Sequence, residues 1–236
     1  MTINPNELTI ENSAVVLIDH QPAVGAAVNS IDRTLLVNNV SGLAAAAKAL
    51  GVPTVLSTIG AKGSVLVDLI FKEIQAIFAE IAPIDRTTTH AWSDPKFRAA
   101  IDATCRKKLI MAGIVTGTCL SQSVLAALKD GFDFYFVSDC SGDVTTEAHE
   151  DAKALMTQAG GRPITWMNAS GQWAPDYTSK ERALMTPIYA RYGGGGTNFL
   201  VDYVLDQIAA GVVPPPSFMS APVRARLGEQ QQGAKA

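Results

Sequence analysis

Short apolar segments alternate with longer amphipathic segments along most of the chain, and this alternation constrains the fold more than any other feature. The first apolar segment, AVVLI at residues 14–18, has no polar residue, and the next segment repeats its apolar residues on a helical period. We predict strands at 14–18, 53–58, 79–84, 108–115, 132–138 and 162–167, and helices at 34–50, 65–78, about 93–104, about 119–129 and 145–161. Strands that are apolar throughout are buried on both faces. The pattern therefore predicts a three-layer α/β fold with a six-stranded parallel sheet between helices.

Residues that start and stop helices support several of these boundaries. Gly51 follows the helix predicted at 34–50 and is a good stop, because glycine adopts the left-handed conformation that ends helices. Ser93 is the predicted N-cap of the helix that contains Pro95 in its first turn. Thr145 or Thr146 is the predicted cap of the helix at 145–161.

Composition excludes several classes of function. The chain has 236 residues, a net charge of −3 and no run of basic residues, so nucleic acid is not an expected partner. No apolar stretch approaches the roughly 20 residues that a membrane span needs, and the polar N-terminus lacks a signal-peptide core, so we expect a cytoplasmic protein. Three cysteines without a CxxC pair argue against a disulfide framework and a structural zinc site.

The alternation ends after residue 170, where two further helical segments are predicted at about 178–192 and 197–210. Four glycines at 193–196 separate these segments. They follow no strand and precede no Lys-Ser/Thr pair, so we interpret them as a hinge and not as a phosphate-binding loop. We predict one domain at 1–210 and a Pro/Gln-rich tail at 211–236, which either has little structure or lies on a neighbouring subunit.

Polar side chains follow the predicted strands at their carboxyl ends, and three of these side chains can do chemistry. Asp19 follows the first strand, Arg86 the third and Cys119 the fourth. Because ligands of open parallel sheets bind beyond the carboxyl ends of the strands, an acid, a cation and a thiol are expected at one edge. His90 and Trp92 come shortly after Arg86 and are candidate pocket-lining residues.

Cys119 lies where a helix is predicted to begin. The helix N-terminus favours an anion and a nearby arginine adds positive charge, so we expect the thiol to lose its proton more readily than usual. The backbone N–H groups of VTGTC have no partner inside a helix and could hold the oxyanion of a tetrahedral intermediate. Asp19 could accept the thiol proton and later activate water.

Each of these residues also has a purely structural interpretation. A single cysteine in an apolar chain is usually a packing residue, and an aspartate that closes a strand is often a turn or cap residue. Arg86 could simply pair with Asp85. His149 lies in a predicted helix and is expected at the surface or at an interface. The three histidines are too scattered along the chain to indicate a metal site.

Several fragments together resemble the isochorismatase-like cysteine hydrolase superfamily, and within it the YcaC-type branch of bacterial hydrolases with unassigned substrates. The resemblance runs from residue 13 to about residue 210 and rests on AVVLIDHQ, KKLIMAGIVTGTCLSQSVLAALKDGFDFYFVSD and EAHEDAKALMTQAG. IDRTTTHAW, FRAAIDATCRKKLIMAGIVT, VSDCSGD and AHEDA are similar to phrases of the YcaC-type branch.

The resemblance implies a Rossmann-like six-stranded parallel sheet and hydrolysis of C–N bonds in small amides and related compounds. By position, it assigns the catalytic acid to Asp19, the basic residue to Arg86 and the nucleophile to Cys119. It also implies a cis peptide bond between Ile114 and Val115, with the N–H groups of Val115 and Cys119 forming the oxyanion hole. No cofactor is expected, and the zinc site of the nicotinamidase branch has no counterpart in this sequence.

The sequence departs from the superfamily at two positions beside the expected site. Most members of the superfamily have lysine at the position of Arg86, whereas the YcaC-type branch has arginine, as this sequence does. An arginine cannot readily relay a proton. Gly117 stands two residues before the cysteine, where the branch usually has glutamate. The loop is therefore expected to be looser, and Gly117 is a candidate substrate-binding position that admits a different or more anionic substrate.

These observations predict a metal-independent cysteine hydrolase that cleaves the C–N bond of a small amide or related acyl compound through a Cys119 thioester. The expected partners are a small-molecule substrate and further copies of the chain. Two alternatives stay open at this point. One is vinyl-ether hydrolysis of the isochorismatase type, which needs no thiol. The other is a non-enzymatic sensor in which Cys119 registers oxidants.

Overall fold

Six strands form one parallel sheet in the computed structural model, which describes residues 7–62 and 69–212, with only the backbone described at 195–201. The strands are β1 (Ser13–Ile18), β2 (Thr54–Ile59), β3 (Ile84–Arg86), β4 (Lys108–Gly113), β5 (Asp133–Val137) and β6 (Arg162–Ile164). Their order across the sheet is β3-β2-β1-β4-β5-β6, and every pair is parallel. The predicted three-layer α/β fold is confirmed.

Helices connect the strands and cover both faces of the sheet. The helices of the described residues are α1 (Pro22–Ala26), α2 (Arg33–Leu50), α3 (Lys72–Ile77), α4 (Pro95–Ala103), α5 (Ser121–Lys129), α6 (Thr146–Gln158), α7 (Trp166–Trp173), α8 (Lys180–Tyr192) and α9 (Gly195–Ala209). Short 3-10 turns occur at Ala91–Ser93 and Ser138–Cys140, and one π-helical turn occurs at Thr116–Leu120. None of these helices combines the length and the apolar character that crossing a membrane requires.

The central strand β1 packs against a different hydrophobic cluster on each side. Val15 and Leu17 belong to the cluster that includes residues of α2, α7 and α8, whereas Val16 and Ile18 belong to the cluster with Phe97 of α4 and residues of α5. Successive side chains of a strand point to opposite faces, so an apolar run with no polar position can only be stable between two layers. This is why AVVLI is buried throughout.

The third strand begins five residues later than predicted. We expected a strand at 79–84, but β3 starts at Ile84, which pairs with Ser57 of β2. Pro83 stands immediately before it and has no N–H to donate to a strand ladder, so pairing starts only after it. The helix predicted at 65–78 is helical at Lys72–Ile77, and its residues 65–68 lie outside the described residues.

Two other boundaries also differ from the sequence prediction. Asp94, and not Ser93, caps α4, because its carboxylate accepts hydrogen bonds from the N–H groups of Lys96 and Phe97. The last strand stops at Ile164, and the residues after it enter α7, with the Thr165 hydroxyl as the cap. An N-cap that satisfies a free N–H group competes with strand pairing at that position.

The strand order places a topological switch point between β1 and β4. The chain moves outward from β1 through β2 to β3, then returns to the other side of β1 and moves outward again from β4 to β6. In open α/β sheets, the connections on the two sides of such a point leave a crevice at the carboxyl ends of the strands. The residues after β1 and β4 therefore line the expected binding site.

The helices α8 and α9 lie close to the two segments predicted at about 178–192 and 197–210, whereas α7 was not predicted. Gly193 and Gly194 separate α8 from α9, whereas Gly195 and Gly196 begin α9. Gly194 has a φ of 81°, a conformation that glycine adopts without strain. The division into a domain at 1–210 and a tail remains a prediction, since residues 213–236 lie outside the described residues.

Candidate active site

Asp19 follows β1 in a left-handed backbone conformation, with a φ of 59°. Its N–H donates to the carbonyl of Ser57 at 2.9 Å, and its own carbonyl accepts from the N–H of Gln21 at 2.7 Å. Aspartate is among the few residues other than glycine that adopt this conformation. The sharp turn ends the strand and leaves the Asp19 side chain fully buried at the carboxyl edge of the sheet.

Arg86, the last residue of β3, reaches the Asp19 carboxylate. Nη1 donates to Oδ1 at 2.5 Å and Nη2 donates to Oδ2 at 2.7 Å, and both side chains are fully buried. Nη1 also donates to the Ser57 hydroxyl and the Thr58 carbonyl, each at 3.1 Å, and Nη2 donates to the Thr89 carbonyl at 3.0 Å. The guanidinium is therefore fixed in both position and orientation.

Asp85 is not the partner of Arg86, which was one interpretation of the sequence. The Asp85 carboxylate accepts hydrogen bonds from the Thr58 hydroxyl and from the N–H groups of Ala61 and Lys62, at 2.8 to 3.0 Å. Asp85 therefore orders the loop after β2, and Arg86, the next residue, binds Asp19.

Cys119 lies in the π-helical turn Thr116–Leu120 between β4 and α5, and its side chain is half-buried. The peptide bond between Ile114 and Val115 is cis, as the resemblance implies, and the N–H of Val115 is directed at the Cys119 sulfur. Asp19 and Arg86 are close enough to the thiol for their charges to act on it, and the Thr118 hydroxyl donates to its sulfur at 3.7 Å. The structure thus brings together the three residues that the sequence placed at the ends of different strands.

The pKa of the Cys119 thiol is raised, which is opposite to the sequence expectation. Burial raises this pKa most, followed by the negative charge of Asp19, while hydrogen bonds from the Val115 N–H and the Thr118 hydroxyl act in the other direction. Burial also raises the pKa of Asp19, against the lowering effect of Arg86. Loss of hydration thus outweighs the favourable helix N-terminus and favours the protonated form of the Cys119 thiol.

Two residues that the sequence interpretation did not select hold the turn that carries Cys119. His149 was expected at the surface or at an interface, but it is only 7% exposed, and its Nδ1 lies 2.9 Å from the Thr116 hydroxyl. Asp143 accepts a hydrogen bond from the Gly117 N–H at 2.6 Å. Asp143 occurs in VSDCSGD and His149 in AHEDA, two segments that carry the family resemblance.

The structure does not bring Trp92 to Cys119. The Trp92 side chain is 5% exposed, packs edge-on against Phe97 and Phe132, and donates from Nε1 to Asp130 at 2.9 Å. Asp130 follows the C-terminus of α5, whereas Cys119 precedes its N-terminus. Nine helical residues span roughly 14 Å. Trp92 is therefore placed as a core residue at the far end of this helix.

His90 stands next to Thr89, whose carbonyl accepts a hydrogen bond from Arg86, so it lies near the site along the chain. Its carbonyl accepts from the hydroxyls of Thr88 and Ser93, which shapes the turn before α4. The roles of His90 and Gly117 in substrate binding stay predictions.

The other two cysteines are also free. Cys105 is exposed after α4, and Cys140 is fully buried, where burial raises the pKa of its thiol well above the ordinary value. Within the described part of the chain, no group of His, Cys, Asp and Glu side chains is arranged to hold a metal ion.

A parallel sheet of this order, with a thiol, a carboxylate and a guanidinium at its switch point, defines a doubly wound α/β protein with a candidate site at the carboxyl edge of the sheet. The chain belongs to the isochorismatase family: residues 13–168 match the model of the isochorismatase domain. It is a hydrolase of this family, and the resemblance drawn from the sequence is confirmed.

YcaC proteins are similar to this chain in both sequence and structure. The chain is 32% identical to the probable hydrolase YcaC of Escherichia coli K12 over 179 residues, which is 74% of this chain and 84% of the relative. The crystal structure of the Escherichia coli YcaC gene product, an octameric hydrolase of unknown specificity, matches with a TM-score of 0.79 at 29% identity, over 86% of this chain and 98% of that one. YcaC from Pseudomonas aeruginosa with hexane-2,5-diol and covalent acrylamide matches with a TM-score of 0.80 at 27% identity, over 86% and 99% of the chains.

Proposed function

We propose that the protein is a metal-independent cysteine hydrolase that cleaves the C–N bond of a small amide or related acyl compound through a Cys119 thioester. One observation carries this proposal. The Cys119 thiol lies near the Asp19 carboxylate and the N–H of Val115, and both act on its pKa, so a proton acceptor and an oxyanion donor stand beside one nucleophile.

In the first half of the reaction, the Cys119 sulfur attacks the substrate carbonyl carbon while Asp19 accepts the thiol proton. The carbonyl electrons move to oxygen, and the oxyanion is held by the N–H groups of Val115 and Cys119. Asp19 then gives its proton to the nitrogen, the C–N bond breaks, and the amine or ammonia leaves. A raised thiol pKa suits this sequence, because proton transfer and attack occur together and no free thiolate is needed beforehand.

In the second half, water attacks the thioester carbon and Asp19 accepts a proton from that water. The second tetrahedral intermediate collapses with cleavage of the C–S bond, and the proton held by Asp19 returns to the sulfur. The products are a carboxylic acid and the regenerated thiol.

Arg86 supplies a fixed positive charge and takes no part in proton transfer. Its guanidinium stays protonated at any ordinary pH, so both proton transfers belong to Asp19. The bidentate contact holds the Asp19 carboxylate in one orientation.

The relatives support this chemistry and an oligomeric assembly. The Pseudomonas aeruginosa protein carries covalent acrylamide, and thiolates are the side chains that most readily add to the double bond of acrylamide. The Escherichia coli protein is an octamer, and we propose a homo-oligomer for this chain as well.

The test compares wild type, Cys119→Ala and Cys105→Ala on acetamide, benzamide, nicotinamide and isochorismate. Turnover of an amide that disappears in Cys119→Ala and persists in Cys105→Ala supports the proposal, as does a thioester seen by intact mass. Undiminished turnover in Cys119→Ala, or cleavage of isochorismate alone, would refute it. Absence of turnover together with fast peroxide modification of Cys119 would favour the sensor.

A further inference from the structure

The oxyanion donors and the nucleophile lie at the two ends of one short peptide. Val115 stands at its start and Cys119 at its end, and only residues 116–118 separate them. The distance between the two N–H groups, and the direction of the thiol relative to both, therefore depends on how these three residues are held. An oxyanion hole needs its donors within a few tenths of an ångström of their working positions.

Thr116 and Gly117 form hydrogen bonds with α6 and with the segment that leads into it. The N–H of Thr116 donates to the Gly142 carbonyl at 2.9 Å, and the Thr116 hydroxyl lies 2.9 Å from His149 Nδ1. The N–H of Gly117 donates to Asp143 Oδ2 at 2.6 Å. Asp143 is 2% exposed and His149 is 7% exposed, so water competes little for these contacts.

Asp143 is itself fixed by a second segment. Its other carboxylate oxygen accepts from the Val144 N–H at 2.7 Å, and its N–H donates to the Ser30 hydroxyl at 2.8 Å. Its carbonyl accepts from the N–H groups of Asn29 and Ser30, at 2.9 and 3.1 Å. The carboxylate that binds Gly117 is therefore anchored in the folded core and does not depend on solvent.

Gly117 and Asp143 are matched in shape. A Cβ atom built on Gly117 would lie 3.0 Å from Asp143 Oδ2, which is tighter than nearly all real contacts of this kind. A side chain at this position would push the carboxylate away from the N–H that it binds. The glycine is thus explained by the approach of a buried, anchored carboxylate.

We propose that Asp143 and His149 are positioning residues for the hydrolytic reaction: they fix the Thr116–Gly117 peptide and thereby the oxyanion hole of Val115 and Cys119. This inference rests on the proposed function, since it assumes that Cys119 is the nucleophile. Neither residue touches the reacting atoms. A loss of either contact leaves the thiol in place but lets the two N–H donors move relative to each other.

Two probes separate thiol reactivity from oxyanion stabilisation. Alkylation of Cys119 by iodoacetamide forms no oxyanion, whereas acylation by p-nitrophenyl acetate passes through one. Alkylation is followed at the Cys119 peptide by mass spectrometry, and acylation by nitrophenolate release together with intact mass. The acylation rate divided by the alkylation rate, each measured at the same pH on folded protein, reports the oxyanion hole.

Two pairs of variants test the positioning role. His149→Asn places an oxygen or nitrogen near the position of Nδ1, whereas His149→Gln places it near Nε2, so only the former restores the contact with Thr116. Gly117→Ala crowds Asp143, and Gly171→Ala is its matched control, because a Cβ at Gly171 meets nothing within 4 Å. We expect the acylation-to-alkylation ratio to fall on the order of 10-fold to 100-fold in His149→Gln, Gly117→Ala and Asp143→Ala. It stays near the wild-type value in His149→Asn and Gly171→Ala.

The outcomes are distinguishable from failure of the proposed function. If the wild type shows no Cys119-dependent acylation while alkylation is normal, the proposed function fails. If wild-type acylation occurs and the ratio stays constant in His149→Gln, Gly117→Ala and Asp143→Ala, the positioning role is wrong. An equal fall in His149→Asn and His149→Gln would also overturn it, because loss of a specific contact with Thr116 would not then explain the effect.

Discussion

Arg86 binds both carboxylate oxygens of Asp19, and the two side chains are completely buried. A buried charge is tolerated only when it is paired and hydrogen-bonded, and each terminal nitrogen of Arg86 also donates to a further acceptor. The pair joins the edge strand β3 to the central strand β1 across β2. The ion pair that orients the proposed base is therefore also a structural element of the sheet.

Arg86→Gln leaves the Asp19 charge buried without its partner, and we expect it to lower the free energy of unfolding by about 3 to 5 kcal/mol. Arg86→Lys keeps the charge but cannot make the two-pronged contact, so it should be less destabilising while still disturbing Asp19. Urea unfolding measures the free energy of unfolding of Arg86→Gln and Arg86→Lys. Lys72→Gln is the control, because Lys72 is 91% exposed and lies 3.9 Å from Glu73, and it should cost less than about 1 kcal/mol. Equal costs for Arg86→Gln and Lys72→Gln would contradict the structural role.

Asp19→Asn should change thiol reactivity and acylation in opposite directions. After burial, the charge of Asp19 is the largest contribution that raises the pKa of Cys119, so its removal lowers that pKa. The pH profile of alkylation by iodoacetamide then shifts to lower pH. Acylation by p-nitrophenyl acetate falls on the order of 10² to 10⁴-fold because the proton acceptor is lost. Asparagine tolerates the left-handed backbone at this position, but the variant leaves the charge of Arg86 buried without its partner, so both rates are measured on protein shown to be folded by circular dichroism.

Asp133→Asn is the matched control for this charge change. Asp133 begins β5 at the amino edge of the sheet and its side chain is 49% exposed. Neither the alkylation profile nor the acylation rate should change in this variant. An Asp19→Asn alkylation profile that coincides with that of Asp133→Asn would show that Asp19 does not control the thiol.

The sequence predicts a strand or helix well where burial imposes a regular pattern of apolar residues on that segment. The strand at β1 is apolar at every position because both of its faces are buried, and a run of this kind is visible without a structure. Asp19, Arg86 and Cys119 could be selected because parallel strands bring their carboxyl ends to one edge. The start of β3 was misplaced because the proline before Ile84 decides where pairing begins, and the apolar residues before it resemble a strand.

The features that sequence reasoning missed depend on tertiary contacts. Nothing in the helical pattern of α6 distinguishes a buried His149 from an exposed one, since its burial depends on the turn that packs against it. Trp92 lies close to Arg86 along the chain, but its ring packs at the other end of α5. The pKa of Cys119 was predicted with the wrong sign because the helix N-terminus is visible in the sequence and desolvation is not.

His20 should make the protein less stable in mild acid. Its side chain is fully buried, its Nε2 lies 2.9 Å from the Cys140 carbonyl, and burial lowers its pKa from 6.5 to about 4. Between these two values the unfolded chain binds the proton and the folded chain does not. The contribution of neutral His20 to stability is therefore complete above about pH 6.5 and is lost as the pH falls toward about 4.

The measurement is urea unfolding of wild type and His20→Gln at neutral pH and near pH 4.5. Glutamine keeps an N–H donor for the Cys140 carbonyl and does not titrate. The wild type should lose about 2 kcal/mol more than His20→Gln between the two conditions. Parallel losses in the two proteins would show that another group is responsible for the acid sensitivity.

Trp92→Phe distinguishes a pocket residue from a core residue. The variant loses the hydrogen bond from Nε1 to Asp130 and weakens the stacking of Arg98, which lies 4.3 Å from the indole ring. We expect a loss of about 1 to 2 kcal/mol in the free energy of unfolding. Acylation of Cys119 by p-nitrophenyl acetate should be unchanged.

Phe132→Leu is the matched control. Phe132 lies just before β5 and its ring packs against Trp92, so this variant should also lower the free energy of unfolding without changing acylation. If Trp92→Phe slows acylation and Phe132→Leu does not, at matched stability, then Trp92 contacts the substrate after all.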